Sequence, residues 1–387
     1  MKICMIFPTY PPNYQADGIG DYTRILVEKL RDKGQKVSVI SSGRYAGKDP
    51  DVIKVGGGRW SLKELVKTYR LIRDAKFDVV HMQYTPVTYG FGPVYKLLPV
   101  LVKAALPRTV FVTTFHTLVG GPWITRAYAV ILSLFSDRLI STNEEITGLF
   151  NRWIPYFRPK IDQIPIGANV KNVDVDRSRA RRGLERKYGL RKNAVILSNF
   201  GFTNPGKGFE DIIDAMSLLG ENDRYYLLLV GALRDEDAAY RHRLNGLIRM
   251  KGLERNVIWA GEADDHRISS LLKGSDIYII PYTEGLCTRR GSLMAGINHS
   301  LPVISTAPRN ELPLFKDREN IMLVKRNDPA SLADAIKELS ADEELRNRIA
   351  SKIGELEKTF NWDTIAERTI DVYKKAAAGT GRAGTPG

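Results

Sequence analysis

The sequence predicts an α/β chain built from two doubly wound parallel sheets. Short apolar runs alternate with amphipathic segments over nearly all of the 387 residues, the series breaks once near its middle, and it then restarts. A chain of this length exceeds what one hydrophobic core usually serves, which agrees with two domains.

In the first half, residues 3–7, 37–41, 79–82, 110–114 and 138–141 read as strands, with helical patterns at 22–33, 62–75 and 94–105 between them. The motif Ile164-Pro-Ile-Gly-Ala-Asn169 breaks the alternation. The charged run Asp176-Arg-Ser-Arg-Ala-Arg-Arg182 then opens a helix ending near Gly189, so the boundary is placed close to residue 172. Beyond it, residues 194–199, 225–230, 257–260, 277–281, 303–305 and 321–324 read as strands of a second sheet, giving domains 1–172 and 173–360. Residues 361–376 form a last amphipathic helix, and the small, polar, Gly- and Pro-bearing stretch 377–387 reads as a disordered tail.

Composition narrows the function class. Only Cys4 and Cys287 occur, far apart, which excludes a disulfide framework and a structural zinc site and fits a reducing cytosol. No export signal is recognised at the N-terminus, and no run of about 18 apolar residues is present to span a bilayer. The net charge of +14 is concentrated in residues 1–172, with 24 Lys and Arg against 13 Asp and Glu. Such a field attracts anionic surfaces without choosing among them. A nucleic-acid-binding role lacks any interleaved basic and aromatic motif and ranks last. Residues 86–138 combine aliphatic and aromatic side chains with Lys96, Lys103, Arg108, Arg126 and Arg138; they suit either an anionic membrane surface or ordinary packing on the sheet.

The chemistry concentrates in loops that follow strands. In Pro281-Tyr-Thr-Glu-Gly-Leu-Cys-Thr-Arg-Arg-Gly-Ser292, an apolar run ends in a loop with Glu284, Gly285, Leu286, Arg289 and Arg290, and a helix follows at once. Backbone N–H groups and a positive helix end there suit an anion, with the arginines adding full charges. A site built only to hold an anion gains nothing from Glu284, so the carboxylate points to chemistry on a group attached to a phosphate. The ordinary alternative is a surface carboxylate paired with Arg289 or Arg290. In Asn199-Phe-Gly-Phe-Thr-Asn-Pro-Gly-Lys-Gly-Phe-Glu-Asp211, Gly206 and Gly208 flank Lys207, a mobile point charge for a phosphate or else a solvated turn lysine. Walker spacing is absent. A third strand end, Leu229-Val-Gly-Ala232, signals little alone.

In the first half, Ala16-Asp-Gly-Ile-Gly-Asp21, with Gly18, Gly20 and Asp21, precedes the helix from Tyr22 and suits the approach of backbone N–H groups to a ligand, although it lacks the third glycine of a dinucleotide fingerprint. His81 and His116 close predicted strands, and His116 is favoured as a site residue, whereas His81 is as easily a satisfied buried imidazole. Gln83 lies beside them as an acceptor-side candidate with His81 and Asp21. No acidic pair stands at metal-binding spacing, so no metal is expected and cations must take the leaving-group charge.

Taken together, Gly18-Ile-Gly20, Asp78-Val-Val-His81, Thr114-Phe-His-Thr117, Gly206-Lys-Gly-Phe-Glu210, Leu229-Val-Gly231, the stretch 276–285 and Phe360-Asn-Trp362 make the chain resemble the retaining family 4 glycosyltransferases of GT-B fold over nearly its whole length. That resemblance implies two Rossmann-like domains facing a central cleft, an N-terminal domain for acceptor, a C-terminal domain for a nucleotide-sugar donor, and a last helix crossing back to the first domain. It makes Lys207 a diphosphate contact, His116 a cleft histidine near the transferred sugar, and Glu284 the first glutamate of a Glu-seven-residues-Glu motif. Ser292 stands where the second glutamate is expected, and Phe202 where the family commonly has an arginine; Arg289 or Arg290 is expected to replace that arginine. Gly18, Gly20, Gly206, Lys207, Gly285, Leu286, Arg289, Arg290 and Ser292 are thus the expected donor contacts, and His116 and Glu284 the catalytic pair. The implied activity is metal-independent transfer of a hexose from a UDP- or GDP-linked sugar to a glycan, lipid-linked or other glycoconjugate hydroxyl. It would proceed with retention in the cytoplasm, with attachment at the inner membrane face as an accompanying expectation. The alternative, prompted by Ser292 and Phe202, is a non-catalytic nucleotide- or glycan-binding partner of the same fold.

Overall fold

The structure is a computed structural model; it describes all residues except 13–17, 57–59, 87, 90–93, 119–122, 221–223, 232–236 and 380–387, and the side chains of 124 and 125. The chain divides into two compact units, Met1–Gly167 with the segment from Trp362 onward, and Ala168–Asn361. The first division thus falls at Gly167, ahead of the expected residue 172.

The first unit holds seven parallel strands: β1 (Lys2–Ile6), β2 (Lys36–Ser42), β3 (Val52–Val55), β4 (Val79–Tyr84), β5 (Val110–Phe115), β6 (Arg138–Ser141) and β7 (Ile161–Gln163). Their order is β3-β2-β1-β4-β5-β6-β7. Every residue of β4 and β5 is buried, as expected of central strands covered by helices on both faces. Side chains alternate between two cores: Ile3 and Met5 of β1 join one, Cys4 and Ile6 the other. Two edge strands were not anticipated. β3, Val52-Ile-Lys-Val55, has only four residues and is interrupted by Lys54, and β7, Ile161-Asp-Gln163, is half-buried throughout, so neither carries an uninterrupted apolar run for the sequence to show.

The last helix, Trp362–Gly379, runs beyond the expected residue 376 and packs on the first unit. Ile365, Ala366, Thr369, Ile370, Val372, Tyr373 and Ala376 make its buried stripe, at the spacing of a helix with one apolar face. Lys29 pairs with Asp363 at 3.0 Å, Lys33 with Glu367 at 2.7 Å and Lys375 with Asp162 at 3.0 Å. These exposed pairs set register more than they stabilise. Residues 380–387 of the expected tail lie outside the described residues.

The second unit holds β8 (Val195–Phe200), β9 (Tyr225–Val230), β10 (Val257–Gly261), β11 (Ile277–Ile280), β12 (Val303–Thr306) and β13 (Met322–Val324), all parallel, in the order β10-β9-β8-β11-β12-β13. The chain leaves β8 toward β9 on one side, while β11 pairs with β8 on the other, so the strand order reverses between β8 and β11. A crevice at the carboxyl ends of such a pair is where open α/β sheets gather ligands.

Candidate active site

The loops after β8 and β11 lie some eighty residues apart in sequence, yet the pairing Leu197↔Ile277 and Ser198↔Tyr278 delivers them side by side. The Thr283 N–H donates to the Gly206 carbonyl at 3.3 Å, tying one loop to the other. Gly208 sits at φ +66°, and a side chain there would collide with the Pro281 carbonyl. Only glycine permits so close an approach. Asn204 shapes the turn by accepting from the Gly206 N–H at 3.1 Å.

Lys207 is not the mobile surface charge the sequence leads one to expect. It is 4% exposed, and its ammonium donates to the Phe200 carbonyl at 2.8 Å. A Cβ on Gly201 would stand 2.5 Å from Lys207 Nζ, so the glycine leaves room for the ammonium. Burial, and secondarily the charge of Arg290, pull Lys207 down to about 7. Arg290 reaches Gly206 from the other loop and lies over the Tyr282 ring at 5.2 Å, with its buried Nε lacking a hydrogen-bond partner among the described residues. Lys207, which has no carboxylate partner among the described residues, and Arg290 close to it make a site that an anion would relieve.

Glu284, about half exposed, pairs with Arg289 and lies 3.4 Å from Arg290. The contacts are those of the ordinary reading, a half-exposed carboxylate paired with the arginines of its own loop. Gly285, at φ +92°, turns the chain, and buried Leu286 donates its N–H to the Thr306 carbonyl at 3.0 Å. Ser292 lies in the first turn of the helix Gly291–Asn298; its hydroxyl lies 2.7 Å from the Tyr282 hydroxyl, and its carbonyl accepts from Tyr278 at 2.6 Å. Tyr282, fully buried, thus supports both Arg290 and Ser292. Nothing in its sequence neighbourhood marks it. Phe202 is half-buried in the Lys207 loop, and the Arg290 guanidinium, which reaches Gly206, is close enough for its charge to act on Lys207.

In the first unit, His116 follows β5 and is 8% exposed. Its Nε2 lies 2.8 Å from Gln83 Oε1, and the Tyr22 ring meets it edge-on at 4.8 Å. His81 and Gln83 are fully buried: His81 bonds Tyr373 and Thr114, each at 2.7 Å, and Gln83 bridges toward His116. Neither is open to solvent, so neither is placed to meet an acceptor directly. Gly18, Gly20 and Asp21 form the first turn of the helix Gly18–Asp32; Gly20 is buried and Asp21 half-buried. Residues 16 and 17 of that loop, and Ala232 after β9, lie outside the described residues. Among the described residues no group of three or more His, Cys, Asp or Glu is placed to hold a metal ion. No described helix is long and apolar enough to cross a membrane.

A family model described as glycosyltransferase family 4 matches residues 16–172, and one described as glycosyl transferases group 1 matches residues 181–356. The chain belongs to the family 4 glycosyltransferases of GT-B fold. This glycosyltransferase is 25% identical to a phosphatidyl-myo-inositol mannosyltransferase of Mycobacterium leprae, with 97% of each chain covered. Among solved structures, a glycosyltransferase from Rickettsia africae superposes with a TM-score of 0.78 at 18% identity, covering 97% of this chain and 98% of the other. The Anabaena protein HepE, solved with UDP and glucose, gives a TM-score of 0.74 at 16% identity, covering 97% of this chain and all of the other. The protein is accordingly a transferase enzyme, which sets aside the non-catalytic alternative.

Proposed function

We propose that this glycosyltransferase moves a hexose from a UDP- or GDP-linked sugar to a hydroxyl of a glycan, lipid-linked or other glycoconjugate acceptor, with retention of anomeric configuration and without a metal ion. The observation that carries the reading is the pairing of buried Lys207 with Arg290 at the strand-order reversal of the second sheet. A nucleoside diphosphate brings two negative charges to that point, and the charge that grows on it as the glycosidic bond breaks is met by both cations. Glu284, displaced from the arginines by the diphosphate, is left to stabilise positive charge on the sugar ring. His116, neutral, supplies a hydrogen bond to a sugar hydroxyl. The UDP and UDP-glucose bound by the Anabaena neighbour, and the mannosyltransferase activity named for the mycobacterial relative, support a nucleotide-sugar donor.

Calorimetric titration with UDP, GDP and ADP, without added metal, tests the donor site: one of them binds in the micromolar range, and Lys207→Ala abolishes most of that affinity. Failure of all three to bind would overturn the reading. The anomeric configuration of the product, read by NMR, tests retention separately. For the acceptor, the first unit exposes Leu97, Leu101, Trp123, Leu134, Phe135 and Tyr156 within its basic half, which favours an acceptor carried on an anionic membrane.

A further inference from the structure

Register places His81, Gln83, Thr114 and His116 on one face of the first sheet, because Gln83 pairs with Thr114 and successive residues of one face lie two apart. The helices Gly18–Asp32 and Trp362–Gly379 bring Tyr22 and Tyr373 to the same face. Hydrogen-bond directions there follow from what each atom can do. The Gln83 amide nitrogen faces Met5 Sδ at 3.2 Å and His81 Nε2 at 3.3 Å, so its carbonyl oxygen is the atom facing His116 Nε2 at 2.8 Å. An amide oxygen only accepts, which puts the hydrogen of His116 on Nε2 and leaves Nδ1 with a lone pair. His81 extends the chain: its Nε2 lies 2.7 Å from the Thr114 hydroxyl and its Nδ1 2.7 Å from the Tyr373 hydroxyl.

We propose that Gln83 is a positioning residue, which locks His116 as the neutral Nε2–H tautomer so that Nδ1 is presented as an acceptor for a sugar hydroxyl. The proposal rests on the role of His116 in transfer given above. The Tyr22 ring, edge-on at 4.8 Å and 77°, holds the imidazole against rotation, and the His116 N–H anchors the backbone on the Tyr84 carbonyl at 3.0 Å. Around the ring stand Gln83 and His81 from β4, Tyr22 from the first helix and Tyr373 beyond His81; no carboxylate hydrogen-bonds either imidazole among the described residues. Burial then keeps both rings uncharged, holding each down to about 3. A tautomer is thereby set by a glutamine, where enzymes more often use a carboxylate that would also favour the imidazolium.

The test is nitrogen-detected NMR of protein labelled at its five histidines, with His116 assigned by replacement. Wild-type His116 should show a protonated Nε2, an unprotonated Nδ1 and no titration between pH 5 and 8. Gln83→Leu should admit the second tautomer and lower kcat by about tenfold, the worth of one well-placed hydrogen bond, with the donor KM little changed. Gln83→Glu should instead protonate both nitrogens at neutral pH, and it keeps the test alive if the leucine variant does not fold. An Nδ1–H form in the wild type, or ordinary titration of His116, overturns the assignment. If the tautomer shifts in Gln83→Leu while turnover does not, the positioning stands and the role of His116 in the proposed reaction fails.

Discussion

Raising the pH should weaken donor binding through Lys207. Its ammonium is held at about 7 because it is buried and faces Arg290, whereas an ordinary lysine stays charged past pH 10. A diphosphate restores the charged form, so binding takes up a proton wherever free Lys207 is neutral. With a free value of about 7 and a bound value above 10, about half a proton is taken up at pH 7 and about nine-tenths at pH 8. The affinity should then fall about fiftyfold between pH 7 and pH 9. Calorimetry of UDP-sugar binding in buffers of different ionisation enthalpy reads the proton count directly, and a sugar nucleotide has no phosphate titrating in that window. Lys207→Arg, whose guanidinium stays charged, should flatten the profile. Cys287→Ser is the control for the thiol beside Arg290. An affinity independent of pH over this range, or an equal slope in Lys207→Arg, would refute the reasoning. The sign for stability is the opposite: the unfolded chain binds this proton more tightly, so folding stability rises with pH from about 7 toward 10.5.

Gly208→Ala should destabilise the second unit by about 1–3 kcal/mol, because it combines a left-handed φ with a collision against the Pro281 carbonyl; urea midpoints check this, and an unchanged midpoint would refute it. Glu284→Gln frees Arg289 and Arg290 from their carboxylate, so inorganic pyrophosphate should bind about two- to fivefold more tightly, the range of an exposed ion pair, while sugar transfer falls. Weaker pyrophosphate binding would show that the carboxylate organises the arginines rather than occupying them. Co-sedimentation should be seen with vesicles rich in anionic lipid, be lost at high salt, and be reduced by Trp123→Ser, a residue 78% exposed; equal binding to neutral vesicles would remove the electrostatic part of the argument.

Much of the fold was legible because its central strands are buried on both faces and therefore appear as unbroken apolar runs, as in Tyr225–Val230 and Ile277–Ile280. Two edge strands of the first sheet were not legible: Val52–Val55 is only four residues long and interrupted by Lys54, and Ile161–Gln163 is three residues with Asp162 and Gln163 among them, so neither forms a run long enough to stand out. The Lys207 and Glu284 loops were legible for a related reason. Phosphate-binding turns need glycines and cations, and these residue types stand out between strand and helix.

The sequence by itself determined the two parallel sheets, the break between them and the loops that carry Lys207, Glu284, Arg289, Arg290 and His116. Periodicity and turn chemistry are local, so a reading along the chain recovers them. Tertiary structure decided what each group is. Burial against Arg290 turned an apparent surface lysine into one balanced near neutrality, and Tyr282, silent in the sequence, became the support of both Arg290 and Ser292. His81 and Gln83, read as acceptor-side candidates, became an enclosed network reaching Tyr373 of the last helix, some three hundred residues away. Protonation and hydrogen-bond direction depend on every atom around a group, and strand pairing brings those atoms from parts of the chain that no local pattern connects.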